Sequence, residues 1–413
     1  MLKKIHIEAV DIGMYVHELC GSWMDHPFWR KSFLVDTAQT LNEIRECGIQ
    51  ELWIDISRGE DVALDAEEIW EQDESIKIDE ALGAVIADEN KDELRIGVGA
   101  ELEYARNVLA KSKTAVATMF KEARMGKALR MTEAEALVDE ISQSVMRNPN
   151  ALFTLVRLKT KDDYTYLHSV AVCAFMLALG RQLGLRGEML KQAGVAGLLH
   201  DIGKSLVPVE VLNKPDCLTH DEFEIMKKHP RNGWRLLKES QGASAIVLDV
   251  CLHHHERLNG HGYPDKLQNE TISQFARMGA VCDVYDAITS VRCYKNAWEP
   301  AEAIRKMAEW KEGSYDEAVF YAFVKTVGIY PVGSLLRLES DRLALVVEQS
   351  SRSLLQPKVI VFYSVRYRDD IVPELLDLSD SEDAIAGIEN AVSWKFLPAR
   401  LLELMQMHKV DPE

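Results

Sequence analysis

Along residues 1 to about 60, apolar and polar positions alternate with a period of two in KIHIEAV, GMYVHEL, SFLVD and QELWIDI. One short helical word, TLNEIREC, and Gly48 interrupt them. Alternation turns one face of each segment toward a core and predicts strands, so this order reads as a small α+β unit. Residues 60–95 (EEIWEQDESIKIDEALG, ADENKDE) are acidic and without period, which predicts a linker. From about 100 to 330 apolar positions recur every three to four residues, in EYARNVLAKSKTAVATMFKEARM, TEAEALVDEISQSVM, YTYLHSVAVCAFMLALGRQL and RGEMLKQAGVAGLL. That spacing predicts amphipathic and buried helices. Thr219 and Glu222 have the spacing of a capping box ahead of EFEIMKKH, and Pro230 ends or redirects that helix. TISQFARMGAVCDVYDAITS predicts another long helix. Strand alternation returns within residues 333–366 (GSLLRLES, RLALVVEQ, KVIVFYSV), followed by an acidic loop, DLSDSEDA, and an amphipathic segment, AVSWKFLPARLLELM. No internal repeat is visible.

The expected architecture is mainly α. Residues 1–95 form a small α+β N-terminal domain plus acidic linker, and residues 96–335 form a helical bundle. Residues 336–413 form a β-rich tract and C-terminal helix packed on that bundle.

Composition narrows the classes. A chain of 413 residues exceeds one compact core and predicts two or three domains. Hydrophobic content of 47% with 28% charged residues excludes global disorder. The net charge of −18 argues against binding a nucleic-acid polymer but leaves room for a small anion held by a local group of cations or metal. Seven cysteines, an odd number with no C-x-x-C pair, fit the reduced thiols of a cytoplasmic protein. Glu8 and Asp11 interrupt the start where a signal peptide needs an apolar run. The strongest apolar stretch, AVCAFMLALG at 171–180, is roughly half a membrane span, so no membrane insertion is expected. The segment GSWMDHPFWRKSF clusters Trp23, Phe28, Trp29 and Phe33, as core and rim aromatics of a small domain or as a docking surface.

Candidate chemistry lies in the helical region. HHHERLNGHGYPD, residues 253–265, holds four of the twelve histidines, and LLHDIGK at 198–204 sets His200 beside Asp201. Neighbouring side chains on a helix diverge by about 100°, so an adjacent His-Asp pair suits two metals better than one tetrahedral ion. Three further residues are ambiguous alone. His168 could be a satisfied core histidine, and His229 could sit favourably at a helix C-terminal dipole. Asp283 lies on an apolar face, where a carboxylate is costly unless paired or metal-bound. With His254 and His255 they make five histidines and two aspartates in one helical span. A bundle can project such ligands inward from several helices.

The words HDIGK, HHHERLNGHGYPD and FARMGAVCDVYDAITSVRCYK, in this order over roughly residues 130–335, resemble the HD-GYP family of metal-dependent phosphodiesterases. The resemblance implies an HD-superfamily helical-bundle catalytic domain, preceded here by a unit similar to the small domain that often accompanies it. It implies hydrolysis of cyclic di-GMP to linear pGpG, in many members followed by cleavage to GMP, with two divalent transition-metal ions, iron or manganese, as cofactors. His168, His200, Asp201 and Asp283 match the ligands of one ion; Asp201, His229, His254 and His255 match those of the other. Asp201 and Lys204 match the catalytic pair, with Lys204 facing the phosphate. Tyr263 matches the loop lining the pocket, and Arg292 and Lys295 match cations that grip the ligand's phosphates. His253 and His261 match no ligand. The implied reaction is in-line attack by a two-metal-activated hydroxide.

This chain departs from the family pattern in three places. Tyr164 stands where some members carry a glutamate for a third ion, with Asp163 one residue off that face. The pocket loop reads Leu258, Asn259, Gly260, His261, and the phosphate-gripping word reads Arg292, Cys293, Tyr294, Lys295. Two alternatives stay open: a slow or inactive signalling module that binds cyclic di-GMP, or an HD-superfamily hydrolase of another nucleotide such as ppGpp or a linear or hybrid cyclic dinucleotide. The N-terminal domain is a candidate surface for a protein partner or for dimerisation.

Overall fold

The computed structural model describes residues 2–20, 32–46, 49–62, 68–70, 77–78, 80–85, 96–157, 164–214, 218–290, 297–350, 352–391 and 393–407. The alternating N-terminal words become β1 (Leu2–His6), β2 (Tyr15–Leu19), β3 (Phe33–Leu34) and β4 (Glu51–Asp55), with α1 (Ala38–Glu46) between the last two. Together with β5 (Glu68–Trp70) they form one antiparallel sheet in the order β3-β2-β4-β1-β5. Ile5, Val16, Leu52 and Ile54 on the strands and Ile44 on α1 close a core separate from that of the helices. β5 falls in the stretch expected to be linker. Its Ile69 pairs with Lys4 on the edge of β1, so part of that acidic segment completes the sheet. Trp23, Phe28 and Trp29 lie outside the described residues; Phe33, on β3, packs partly buried against the small core.

The helical expectation holds from α2 (Val98–Arg124) onward. There follow α3 (Met131–Arg147), α4 (Pro149–Arg157), α5 (Tyr164–Gln182), α6 (Gly187–Leu199) and the short α7 (Val209–Leu212). Next come α8 (His220–Met226), α9 (His229–Glu239), α10 (Ala245–His253) and α11 (Gln274–Thr289). The bundle ends with α12 (Pro300–Glu309), α13 (Lys311–Ser314) and α14 (Glu317–Val327). From Leu167 to Leu179 every residue of α5 is buried, as expected for a helix apolar on all sides and placed at the centre. α6 and α11 pack against it.

The capping box forms as its spacing predicts: Glu222 N–H donates to Thr219 Oγ1 at 3.3 Å, and Thr219 N–H to the Glu222 carboxylate at 2.7 Å. Pro230 does not end this helix, which stops at Met226. Instead it sits in the first turn of α9, where its missing N–H costs nothing.

The C-terminal tract is a second antiparallel sheet, ordered β10-β6-β7-β8-β9. Its strands are β6 (Leu335–Leu338), β7 (Arg342–Glu348), β8 (Lys358–Ser364), β9 (Asp369–Asp377) and β10 (Ile385–Glu389). β9 and β10 carry little alternation because they are edge strands without a buried residue, β9 exposed along much of its length and β10 mostly half-buried. Leu345 and Phe362 of this sheet belong to the same apolar cluster as Phe320 and Phe323 of the bundle, so tract and bundle share one core. The final helix, α15 (Pro398–Met407), lies against α2. No helix among the described residues is long and apolar enough to cross a membrane.

Candidate metal centre

Three helices, and the turns that end two others, deliver seven ligand-type side chains to one buried point. His168 comes from α5 and Asp283 from α11. His200 caps α6, and Asp201 follows it just before a 3-10 turn, Ile202–Leu206. His229 opens α9, while His254 and His255 follow the last turn of α10. All seven are 2% exposed or less. His229 corrects one expectation: it lies at the start of a helix, fully buried, so a favourable place at a C-terminal dipole is not its role.

Local backbone contact makes this convergence possible. A Cβ added to Gly203 would lie 1.9 Å from His229 O and 2.5 Å from Gly233 N. The turn that carries His200 and Asp201 can therefore press against the start of α9 only because residue 203 has no side chain.

The donor atoms form two groups, His168–His200–Asp283 and Asp201–His229–His254–His255, each with its ligand atoms within 4.8 Å of one another. Asp201 faces both. Its Oδ2 lies 3.4 Å from His168 Nε2 and 3.4 Å from His200 Nε2, while its Oδ1 lies 3.1 Å from His229 Nε2 and 3.8 Å from His254 Nε2. Asp283 Oδ1 sits 3.0 Å from His168 Nε2. Lys204 Nζ reaches the Oδ2 side of Asp201 from the partly exposed rim.

Four histidines are oriented from behind. His168 Nδ1 bonds Asp286 at 2.7 Å, and His200 Nδ1 bonds Gly197 O at 2.8 Å. His229 Nδ1 bonds Met226 O at 2.8 Å, and His254 Nδ1 bonds Val250 O at 3.0 Å. Each such bond leaves Nε2 turned into the centre, the arrangement typical of histidines that hold metals.

The electrostatics point the same way. Burial opposes ionisation of Asp201, yet Lys204 and His200 hold its carboxyl well below the usual carboxylate range. Burial likewise opposes Asp283, which its bonds to His168 and His200 keep ionised. Burial and then the neighbouring imidazoles push His254 and His255 well below the ordinary histidine value, so both are neutral. His200 goes the other way: against the cost of burial, Asp201 and Asp283 raise it to about 10. The two carboxylates thus call for positive charge at this point, and they raise His168 and His200 in consequence. Asp201 Oδ1, Asp283 Oδ2, His200 Nε2 and both ring nitrogens of His255 are buried with no well-formed hydrogen bond. Such atoms are expensive in a dry interior and suit cations. The donor set of imidazole and carboxylate fits a borderline divalent ion.

Other residues singled out by the sequence lie around this point. Tyr263 stacks on His255, with ring centroids 4.6 Å apart and planes at 24°. His253 turns away from the centre, toward Asp249 at 2.7 Å and Asp265 at 3.3 Å, and His261 is exposed. Arg292 and Lys295, with Cys293 and Tyr294, lie outside the described residues, as do Asp163 and the side chain of Tyr164. Sequence reasoning missed Asp286 and Glu256. Asp286 had a signal: it stands three residues after Asp283 on a helix, hence on the same face. The Glu256 carboxylate accepts the backbone N–H groups of Asp265 and Leu267, at 2.7 and 3.0 Å, contacts that only the folded loop reveals.

Comparison with known proteins places the chain among relatives. Residues 2–134 match a domain of unknown function, DUF3391, and residues 121–319 match the HD domain family. The chain is 51% identical to a cyclic di-GMP phosphodiesterase of Pseudomonas aeruginosa, over 96% of this chain and 94% of the relative. It is 34% identical to a 3'3'-cGAMP-specific phosphodiesterase of Vibrio cholerae, over 46% of this chain and 42% of that protein. Among solved structures, an HD-GYP-type protein from Bdellovibrio bacteriovorus aligns with a TM-score of 0.46 and 15% identity, covering 78% of this chain and 98% of that one. With its HD and GYP words and a relative aligned along nearly its whole length, the chain belongs to the HD-GYP family of phosphodiesterases.

Proposed function

We propose that this chain hydrolyses cyclic di-GMP to linear pGpG at a centre for two divalent transition-metal ions. One observation carries this reading: the two oxygens of Asp201 face opposite ligand groups, so a single carboxylate serves both. In this assignment His168, His200 and Asp283 complete one ion's ligands, and His229, His254 and His255 the other's. Iron and manganese both suit that donor set. Bound ions of this kind supply Lewis acidity and bring the pKa of water toward neutrality.

The chain's own residues do the rest. Asp201 keeps its charge under burial because Lys204 and His200 stand beside it. Lys204, the cation at the rim, takes a non-bridging phosphate oxygen as charge builds on phosphorus. Arg292 and Lys295 grip the ligand's phosphates. On a chain of net charge −18 such local cations, with the metals, are what draw a dianionic substrate in. The substrate assignment is supported by the name of the Pseudomonas aeruginosa relative. The Vibrio cholerae relative favours a second reading, in which a hybrid cyclic GMP-AMP dinucleotide is taken as well or instead.

The test incubates purified protein and manganese with cyclic di-GMP and, in parallel, cyclic GMP-AMP, and follows products over time, with Asp201→Asn as control. Appearance of pGpG in wild type and its absence in the variant is the expected result. Tight binding without turnover would make the chain a cyclic di-GMP-binding signalling module. Cleavage of the hybrid alone would move it to the second reading.

A further inference from the structure

We infer that Tyr263 is a positioning residue for His255, holding the imidazole plane by ring stacking so that the Asp201–His229–His254–His255 group can close on its ion. The inference rests on the reading of the centre as a two-ion site. It gives the tyrosine a task distinct from lining the substrate pocket.

The reason lies in how the five histidines are held. Four have Nδ1 tied to a carboxylate or backbone carbonyl at 2.7–3.0 Å, which fixes both tautomer and ring plane. His255 has no such tie. Among the described residues neither of its ring nitrogens has a hydrogen-bond partner, and the nearest acid, Asp283 Oδ2, is 3.9 Å from Nδ1. The outer torsion of a histidine side chain is soft, so a ring without a hydrogen bond is oriented only by what packs on its face. The flattest ring contact His255 makes is with Tyr263, at 4.6 Å and 24°; His254 is tilted to it at 45° and His229 stands edge-on at 87°. The first of these is the offset-stacked arrangement that aromatic pairs favour.

The tyrosine is itself held firmly. Its N–H donates to His255 O at 3.2 Å, folding the loop back on the residue it braces. A Cβ on the preceding Gly262 would meet Arg257 N at 2.4 Å and Glu256 Cα at 2.5 Å, so only glycine allows so close a return. Beyond the tyrosine, the Glu256 carboxylate accepts from Asp265 and Leu267 N–H. The loop therefore works as a sling under the last two histidines, with the tyrosine ring as its contact.

The test measures manganese binding by calorimetry, and retained metal after dialysis, for wild type, Tyr263→Phe, Tyr263→Ala and His255→Ala. Outer supports of metal ligands typically contribute ten-fold to a hundred-fold in metal affinity. Tyr263→Ala should weaken one of two ions about ten-fold, leave the other unchanged, and follow His255→Ala in direction; Tyr263→Phe, which keeps the ring, should match wild type. Under saturating manganese the alanine variant should bind both ions, as wild type does. Should the alanine variant fail to fold by circular dichroism, Tyr263→Leu takes its place, keeping apolar bulk without a ring face. Wild-type-like retention of both ions in the ring-less variant overturns the inference, and so does a phenylalanine variant that loses as much as alanine. A wild type that takes up a single ion refutes the two-ion reading instead. The positioning inference is then decided by whether loss of the ring weakens that one ion ten-fold.

Discussion

A carboxylate on an apolar helix face is a cost unless something answers it, and Asp283 and Asp286 on α11 are answered by the same imidazole. His168 offers Nε2 to Asp283 at 3.0 Å and Nδ1 to Asp286 at 2.7 Å. Asp286 thus orients a proposed ligand without being one. Asp286→Asn keeps the shape and removes the charge, and metal affinity should fall roughly ten-fold to a hundred-fold with helicity retained; equilibrium dialysis against manganese measures it. The protonation pattern makes a second prediction. Aspartates raise His168 above the ordinary histidine value, and raise His200 to about 10, so without a metal His200 carries a proton near neutral pH. A metal must displace that proton. Metal uptake should therefore acidify a weakly buffered sample. A raised pKa keeps the competing proton bound over more of the pH scale, so affinity should climb steadily from pH 6 to 9. Calorimetry in two buffers of different ionisation enthalpy reads the proton count, and a pH-independent affinity would refute the assignment.

At the scale of elements, the site depends on how closely two backbone segments approach. The 3-10 turn after Asp201 touches the start of α9 through Gly203 and Gly233, and a methyl at residue 203 would overlap His229 O. Gly203→Ala must push the turn and α9 apart, moving Asp201 away from His229. Overpacking of this kind costs about 1–3 kcal/mol or more. The variant should unfold at lower temperature and bind metal more weakly, whereas a change at exposed Gly126, where a Cβ meets nothing within 4 Å, should leave metal content unaltered. Thermal scans with and without manganese check both. The elements themselves were largely legible, because α2 and α3 carry a clear helical period, α5 and α6 are apolar runs too long for strands, and Thr219–Glu222 is a capping pair. His229 was misplaced by a few residues of boundary: MKKHP reads as a helix end, yet the chain breaks at Lys227 and restarts.

At the scale of the whole molecule, the two parts of the chain meet through partly buried charge. Lys306 on α12 bridges Glu18 of β2 at 2.6 Å and Glu309 of its own helix at 3.1 Å, and the Trp53 indole of β4 also donates to Glu309. Burial opposes the charge on Lys306, but the two glutamates outweigh it and raise its pKa. Lys306→Met would leave two carboxylates facing each other with one cation gone. Because the pair is only partly buried, a loss of about 1–3 kcal/mol is expected, less than for a fully buried pair. Thermal unfolding should show it as a drop in Tm at unchanged metal content, and Lys306→Arg should restore most of it. This join could not be read from sequence. Glu18, Trp53, Lys306 and Glu309 have ordinary surface or core positions in their own segments and gain meaning only when β2, β4 and α12 are packed together. Much else was legible in the sequence alone. Period-two and period-3.6 patterning is a local consequence of which face meets a core, so it marked the strands, the helices and the mainly helical class. The HD and GYP words, in order, marked the family and the candidate ligands. Tertiary structure decided what local patterns do not carry: that β5 closes the N-terminal sheet, and that the C-terminal sheet shares the bundle's core. It also decided that Asp201 turns one oxygen to each ligand group and that Tyr263 lies flat on His255. These depend on distances between residues far apart in the chain, and such distances are set only when all the helices pack at once.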